Sequence, residues 1–117
     1  MPEYLNFRIV DKSTNADLFF ANQPAYAIGQ LKVTYKKLER PVQVKSDGTS
    51  GNYFSVQANI AGLKDTMYIQ VGNNAAVPLI YTLAKVEDPC PRYPVSTVMY
   101  NNNFYNNVGA QILSLKQ

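Results

Sequence analysis

The sequence predicts an all-β protein, a single antiparallel β-sandwich of seven or eight strands with Ig-like architecture. Three observations predict it. Apolar and polar residues alternate in short segments along the whole chain, which buries one face of a strand and exposes the other. Turn residues recur at intervals of roughly 8–12 residues, as in sandwiches. No segment shows a convincing helical pattern, and 117 residues suit one domain, 1–117.

In the first half of the chain, four segments carry an apolar residue at every second position. They are Tyr4–Val10 with Leu5, Phe7 and Ile9; Gln30–Lys36 with Leu31, Val33 and Tyr35; Arg40–Lys45 with Val42 and Val44; and Tyr53–Asn59 with Phe54, Val56 and Ala58. Leu18–Phe20 fits either a short strand or a loop tucked against the core. The Asp47-Gly48 step suits positive φ, which predicts a hairpin between the third and fourth of these strands.

The second half of the chain contains four more predicted strands. They are Thr66–Val71 with Met67, Ile69 and Val71 on one face; Val77–Val86; Val95–Tyr100; and a stretch within Tyr105–Leu115. The broken alternation at Ile112-Leu113 indicates a bulge or burial on both faces. Three prolines within Glu87–Pro94 exclude helix and regular strand pairing there, so an ordered loop is expected.

The apolar positions of these strands predict the core. It should include Phe7, Ile9, Leu31, Val33, Phe54, Val56, Ile69, Val71, Leu79 and Val98. The alternation leaves Val98 between two faces, whereas the other residues lie on the apolar parity of their strands.

Composition argues against catalysis. The chain has no histidine, so the commonest general base and metal ligand are missing, and a Cys-His or Ser-His-Asp nucleophile cannot form within it. Cys90 is the only cysteine, which excludes an internal disulfide. Of eight carboxylates only Glu87 and Asp88 are adjacent, and no two of them suggest the facing pair that a glycosidase needs. We therefore predict no catalytic residue, no metal, no cofactor and no enzymatic activity.

The net charge of +3 and the isoelectric point near 9.0 come partly from one local cluster. Its members are Lys32, Lys36, Lys37, Arg40 and Lys45. An outward basic stripe of this kind could contact an anionic partner. We favour the alternative, an edge strand kept soluble by lysines, because the aromatic signatures of nucleic-acid binding are absent. No nucleic-acid partner is expected.

Aromatic residues supply the candidate binding positions. Tyr53 and Tyr68 lie on the predicted outer parity, where a ring can stack on a sugar or contact a protein, although for each we favour cross-strand pairing that stabilises the sheet. Arg92 and Tyr93 lie in the Glu87–Pro94 loop, which its prolines pre-order for binding. A rigid crossover between sheets is the plainer interpretation of that loop.

The amide-rich segment Asn101–Asn107 is a second candidate loop. Its asparagines flank two aromatic residues, Phe104 and Tyr105. They suit turn formation, which we favour, or hydrogen bonding to a saccharide. This loop and Glu87–Pro94 bracket the same predicted strand, so they should emerge at opposite ends of the sandwich.

Several segments in a fixed order resemble the small β-sandwich domains of Bacteroidota envelope lipoproteins, which are short proteins of unknown function. They are Asn6–Asp11, Ala16–Phe20, Tyr26, Gln30–Val33, Asp65–Ile69, Cys90 and Val95–Asn101. The resemblance covers most of the chain and carries no catalytic residue. It implies the periplasm or cell surface as the location. Members often have a lipid-attached cysteine near their start, which this chain lacks.

We therefore predict a non-catalytic cell-envelope or secreted interaction module that binds a protein or glycan of the envelope. The alternative is a carbohydrate-binding accessory domain, or a subunit of a polysaccharide-acting enzyme. The opening residues lack the basic and apolar segments of a signal peptide, so membrane contact would require a lipid anchor outside this chain. A cytoplasmic location stays open, as does the oligomeric state.

Overall fold

Ten strands form two packed sheets in the computed structural model, which describes residues 3–21, 24–46, 48, 51–58, 64–85, 87, 93–106 and 112–117. The strands are β1 (Glu3–Val10), β2 (Leu31–Tyr35), β3 (Leu38–Arg40), β4 (Val42–Ser46), β5 (Asn52–Ala58), β6 (Lys64–Val71), β7 (Val77–Leu83), β8 (Val95–Tyr100), β9 (Asn103–Asn106) and β10 (Leu113–Lys116). The helical structure within these ranges is one 3-10 turn, Ile28–Gln30. The predicted all-β sandwich is confirmed.

The strand order shows how the chain builds the two layers. One sheet has four strands in the order β10-β1-β5-β4, and the other has six in the order β3-β2-β6-β7-β8-β9. All neighbours are antiparallel except β1 and β10, which run parallel. The expectation of a wholly antiparallel sandwich is therefore wrong at this one pair, where the last strand returns beside the first.

The predicted number of strands, seven or eight, is also wrong, for two local reasons. The predicted strand Arg40–Lys45 is two strands in different sheets, separated by Pro41. Proline has no N–H to donate to a ladder, so the pairing ends there and the chain crosses between layers. The predicted last strand divides in the same way, into β9 beside β8 and β10 beside β1.

The inner faces of both sheets form the core, and all ten predicted core residues are buried. Val98 is buried together with Val95, three residues before it, although strict alternation would place them on opposite faces. The register explains this, because Thr82 pairs with Thr97 whereas Leu83 pairs with Val95. The extra residue in β8 is a bulge that turns both valines inward.

The segment Leu18–Phe20 is a tucked loop and not a strand. The Leu18 N–H donates to the Ile9 carbonyl at 2.9 Å, and the Asp17 carboxylate accepts from the N–H groups of Phe19 and Phe20. Phe19 is buried, and its ring meets that of Phe54 edge to face with centroids 5.1 Å apart. This loop therefore contributes aromatic rings to the core without joining a sheet.

The β8–β9 hairpin is joined to the last strand by side chains. The Lys116 N–H donates to the Tyr105 hydroxyl at 2.9 Å, and Asn101 Nδ2 donates to the Lys116 carbonyl at 3.3 Å. The Tyr100 hydroxyl donates to Gln117 Oε1. These contacts satisfy backbone groups that a strand at a sheet edge would otherwise leave open.

Candidate functional site

The preferred binding loop, Glu87–Pro94, lies largely outside the described residues, and so do Arg92 and Cys90. Tyr93 is described, and its half-buried side chain packs against the core. A ring held in this way stabilises the sandwich, so Tyr93 presents less surface to a partner than the sequence suggested.

Tyr53 and Tyr68 both lie on outer faces, as the alternation predicted, but on different sheets. Tyr53 is half-buried on β5 of the four-stranded sheet, opposite Lys45. Tyr68 is 45% exposed on β6 of the six-stranded sheet, between Thr34 and Pro78. The two rings point away from opposite sides of the sandwich, so they cannot belong to one site.

Around Tyr68 the structure assembles an apolar surface that we call the apolar stripe. It consists of Tyr68, Pro78, Ile80, Met99 and Phe104 on the outer face of the six-stranded sheet. Directly paired residues on one face have Cβ atoms about 4.5–5.5 Å apart, so Ile80, Met99 and Phe104 form a continuous row. Met99 is 46% exposed and Phe104 is 63% exposed, which leaves most of this row open to solvent.

The local sequence explains why apolar residues reach this face. Strand β7 is apolar on both parities, with Leu79 and Tyr81 in the core and Pro78 and Ile80 outside. A strand covered on both faces usually has such a run. Here the described residues leave the outer face uncovered, so the apolar side chains of β7 stay accessible.

An open notch borders the middle of the stripe. Its volume is about 240 Å³, and its lining residues are Val77, Pro78, Ile80, Met99, Asn101 and Asn102. The pairing of β7 with β8 ends at Leu79 and Tyr100, so Pro78 has no strand neighbour on that side and the sheet surface drops away. Asn101 and Asn102 form the wall as a tight turn with φ of 50° and 66°. The notch is smaller than most small-molecule pockets but large enough for one apolar side chain.

Two lysines flank the stripe on the same face, in the rows next to opposite ends of strand β6. Lys32 on β2 lies opposite Gln70, and Lys64 on β6 lies opposite Thr82. No carboxylate among the described residues pairs with either lysine. The face therefore carries the apolar stripe between two cations that are available to a partner.

The basic cluster predicted from the sequence does not gather on one surface. Lys45 lies on the other sheet, and Lys36 and Lys37 form the turn between β2 and β3. The proposed explanation, an edge strand protected by lysines, is wrong for β2, because that strand lies between β3 and β6.

The second candidate loop, Asn101–Asn107, is mostly regular structure where it is described. Asn101 and Asn102 make the turn, and Asn103–Asn106 is strand β9. Phe104 belongs to the stripe, whereas the half-buried Tyr105 packs against the core.

The sequence contains a signal for the stripe that the alternation within single strands does not show. Ile80, Met99 and Phe104 are large apolar residues, and the first two lie on the parity opposite to the core residues of their strands. Apolar residues on the solvent parity of several strands indicate either a second buried face or a binding surface.

Comparison with known proteins gives no match to a protein-family model, a curated protein or a solved structure. Within the described ranges, no helix is long and apolar enough to span a membrane. The same residues contain no group of three or more cysteine or carboxylate side chains that could hold a metal ion.

Proposed function

We propose that this chain is a non-catalytic interaction module that binds another protein through the apolar stripe. The observation that carries the proposal is the continuous row Ile80, Met99 and Phe104, which continues through Pro78 to Tyr68 on one exposed face. Single exposed apolar residues are common on soluble proteins, but contiguous patches usually mark interaction sites. The residues of the stripe carry no charge, as is typical of the centre of a protein–protein interface.

The composition of the face indicates what kind of protein would fit. An apolar side chain of the partner would enter the notch beside Pro78 and Met99. Acidic groups of the partner would lie over Lys32 and Lys64, which have no carboxylate partner in the part of the chain that is described. The net charge of +3 favours an acidic protein over a second copy of this chain, because like charges repel across an interface.

We further propose that the module acts in the cell envelope, at the cell surface or in the periplasm, and that its sandwich is of the Ig-like type. The support for both is the resemblance to envelope lipoproteins, and two packed sheets agree with it. An accessory role in polysaccharide processing remains the alternative function.

Site-specific photocrosslinking tests the proposal. A photoreactive phenylalanine analogue is placed at Met99 in the source cells, and a matched analogue is placed at Ser114, an exposed residue on the other sheet. We expect a discrete crosslinked protein from position 99 and none from position 114. That protein is then purified, and its affinity is measured for the wild type, Met99→Asp and the control Ser114→Asp. Met99→Asp should weaken binding at least about 30-fold, the loss of a hot-spot residue, and Ser114→Asp about twofold or less.

Two results would contradict this proposal. Equal affinities of Met99→Asp and Ser114→Asp would mean that the captured protein binds elsewhere. A concentration-dependent dimer in analytical ultracentrifugation that Met99→Asp abolishes would identify a second copy of the chain as the occupant of the stripe.

A further inference from the structure

On the outer face of the four-stranded sheet, on the side of the sandwich opposite to the stripe, two polar side-chain atoms are buried beneath their neighbours, and we call this position the polar pit. In its middle row, Ser55 lies between Gln43 on β4 and Asn6 on β1 as a direct cross-strand partner of both. Ser55 is only 1% exposed, although its parity faces away from the core. A small side chain on the solvent side of a sheet becomes this inaccessible only when larger neighbours stand around it.

Two polar atoms at the bottom of the pit have no partner. Ser55 Oγ and Asn6 Oδ1 are both buried, and neither makes a hydrogen bond to any described residue. A buried polar atom without a partner is destabilising, and native proteins keep few of them. Those that persist usually bond an ordered water or a bound group, or have a functional role.

The walls of the pit are aromatic and long polar side chains. Tyr53 and Lys45 pair in the row on one side of Ser55, and Tyr4 and Gln57 pair in the row on the other. Lys45 Nζ lies 5.1 Å from the centroid of the Tyr4 ring, which is 40% exposed. To reach that ring from its own row, the lysine side chain must cross the middle row above Ser55. A single flexible side chain, held by a cation–π contact at the surface, therefore covers the pit.

We infer that this pit is a binding site for a saccharide, separate from the apolar stripe. Asn6 Oδ1 only accepts hydrogen bonds, so the missing ligand atom must donate, which a fully deprotonated anion such as sulfate does not do. The Ser55 hydroxyl both donates and accepts. One hydroxyl group of a sugar satisfies both, because it donates to Asn6 Oδ1 and accepts from Ser55 Oγ.

The wall residues suit the rest of a sugar ring. When Lys45 moves aside, the Tyr4 ring presents its face to the apolar C–H side of a pyranose, and Tyr53 lies across the pit from it. The freed ammonium group and the amide of Gln57 can then bond further hydroxyl groups. This inference concerns another face and another ligand class, so it does not depend on the protein partner of the stripe.

A nuclear magnetic resonance titration tests the inference with defined probes. The ¹⁵N-labelled chain is titrated with hexasaccharides of cellulose, xylan, mannan, laminarin and chitin, each to about 5 mM, a range that detects millimolar dissociation constants. At least one probe should shift the Asn6 side-chain amide and the Ser55 backbone amide in a saturable way. Ser55→Ala and Tyr4→Ala should each weaken that binding about tenfold or more. Tyr68→Ala is the matched control on the opposite face and should leave it unchanged.

Three outcomes would overturn the inference. The first is that no probe shifts the resonances of the pit. The second is that binding survives both Ser55→Ala and Tyr4→Ala, which would place the sugar elsewhere. The third is a fall of more than about 4 °C in the melting temperature of Ser55→Ala, because a hydroxyl without a partner should be removable at no cost to stability. If the stripe variants do not change binding of a protein partner, the three results that test the pit are unaffected. The two proposals can therefore fail independently of each other.

Discussion

Replacement of Phe54 by alanine should be among the most destabilising single changes in this domain. Phe54 is 1% exposed, and its ring centroid lies 5.8 Å from that of Phe7, 5.1 Å from that of Phe19 and 4.8 Å from that of Phe20. A buried Phe→Ala change costs about 3–5 kcal/mol. Because three aromatic partners lose their contacts at once, we expect about 4–5 kcal/mol, near the upper end of that range.

The measurement is urea denaturation at equilibrium, followed by far-ultraviolet circular dichroism. Phe104→Ala removes the same atoms from a residue that is 63% exposed, so it should cost less than about 1 kcal/mol. A cost of 4–5 kcal/mol is most of the stability of a marginal domain, so Phe54→Leu, at about 1–1.5 kcal/mol, provides a milder variant that stays folded. A cost of Phe54→Ala within about 1 kcal/mol of that of Phe104→Ala would refute the register of β5 and the position of the tucked loop.

Three further predictions concern the turns and two titrating groups. The N–H groups of Ser13 and Thr14 bond the Asp11 carboxylate and lower its pKa, so the folded state favours the ionised form. That contribution to stability is complete above the unfolded pKa of about 4 and is lost as the pH falls below it. Asp11→Asn should therefore flatten the acid side of the curve of stability against pH. A normal Asp11 pKa in a carbon-detected titration would contradict this prediction. Burial raises the pKa of Tyr100, so its neutral form favours folding and stability should fall as the pH rises above about 10. Tyr100→Phe should lessen that fall. If the curve of stability against alkaline pH is unchanged in this variant, the phenol ionises freely in the folded state. Lys36 and Lys37 occupy the left-handed region with φ of 51° and 68°. Their joint replacement by Asn-Gly should therefore stabilise the domain by about 1–2 kcal/mol in the same urea assay. A loss of stability would contradict the turn geometry.

The candidate sites show where sequence reasoning succeeded and where it stopped. The alternation placed Tyr53 and Tyr68 on outer faces, and both are there. It did not show that they lie on opposite sides of the sandwich, because that depends on which sheet each strand joins. It also gave no weight to Met99 or Phe104, whose importance comes from being neighbours across β8 and β9.

The sequence by itself determined most of the strands and the faces they bury. The nine core residues predicted from alternation are buried, because the two-residue period of a strand is a local property of the backbone. Val98, which alternation left between two faces, is buried through the bulge in β8. Val95–Tyr100 was predicted with the bounds that the structure has, since a proline-rich loop and an asparagine turn limit it on either side.

Only the tertiary structure decided the order of the strands, and with it both candidate sites. The division at Pro41, the parallel pairing of β1 with β10 and the row of Ile80, Met99 and Phe104 all join residues that are distant in the chain. Such pairings depend on which backbone ladders together bury the most apolar surface and leave the fewest unpaired N–H and C=O groups. That choice is made by the whole chain at once, so no single segment records it.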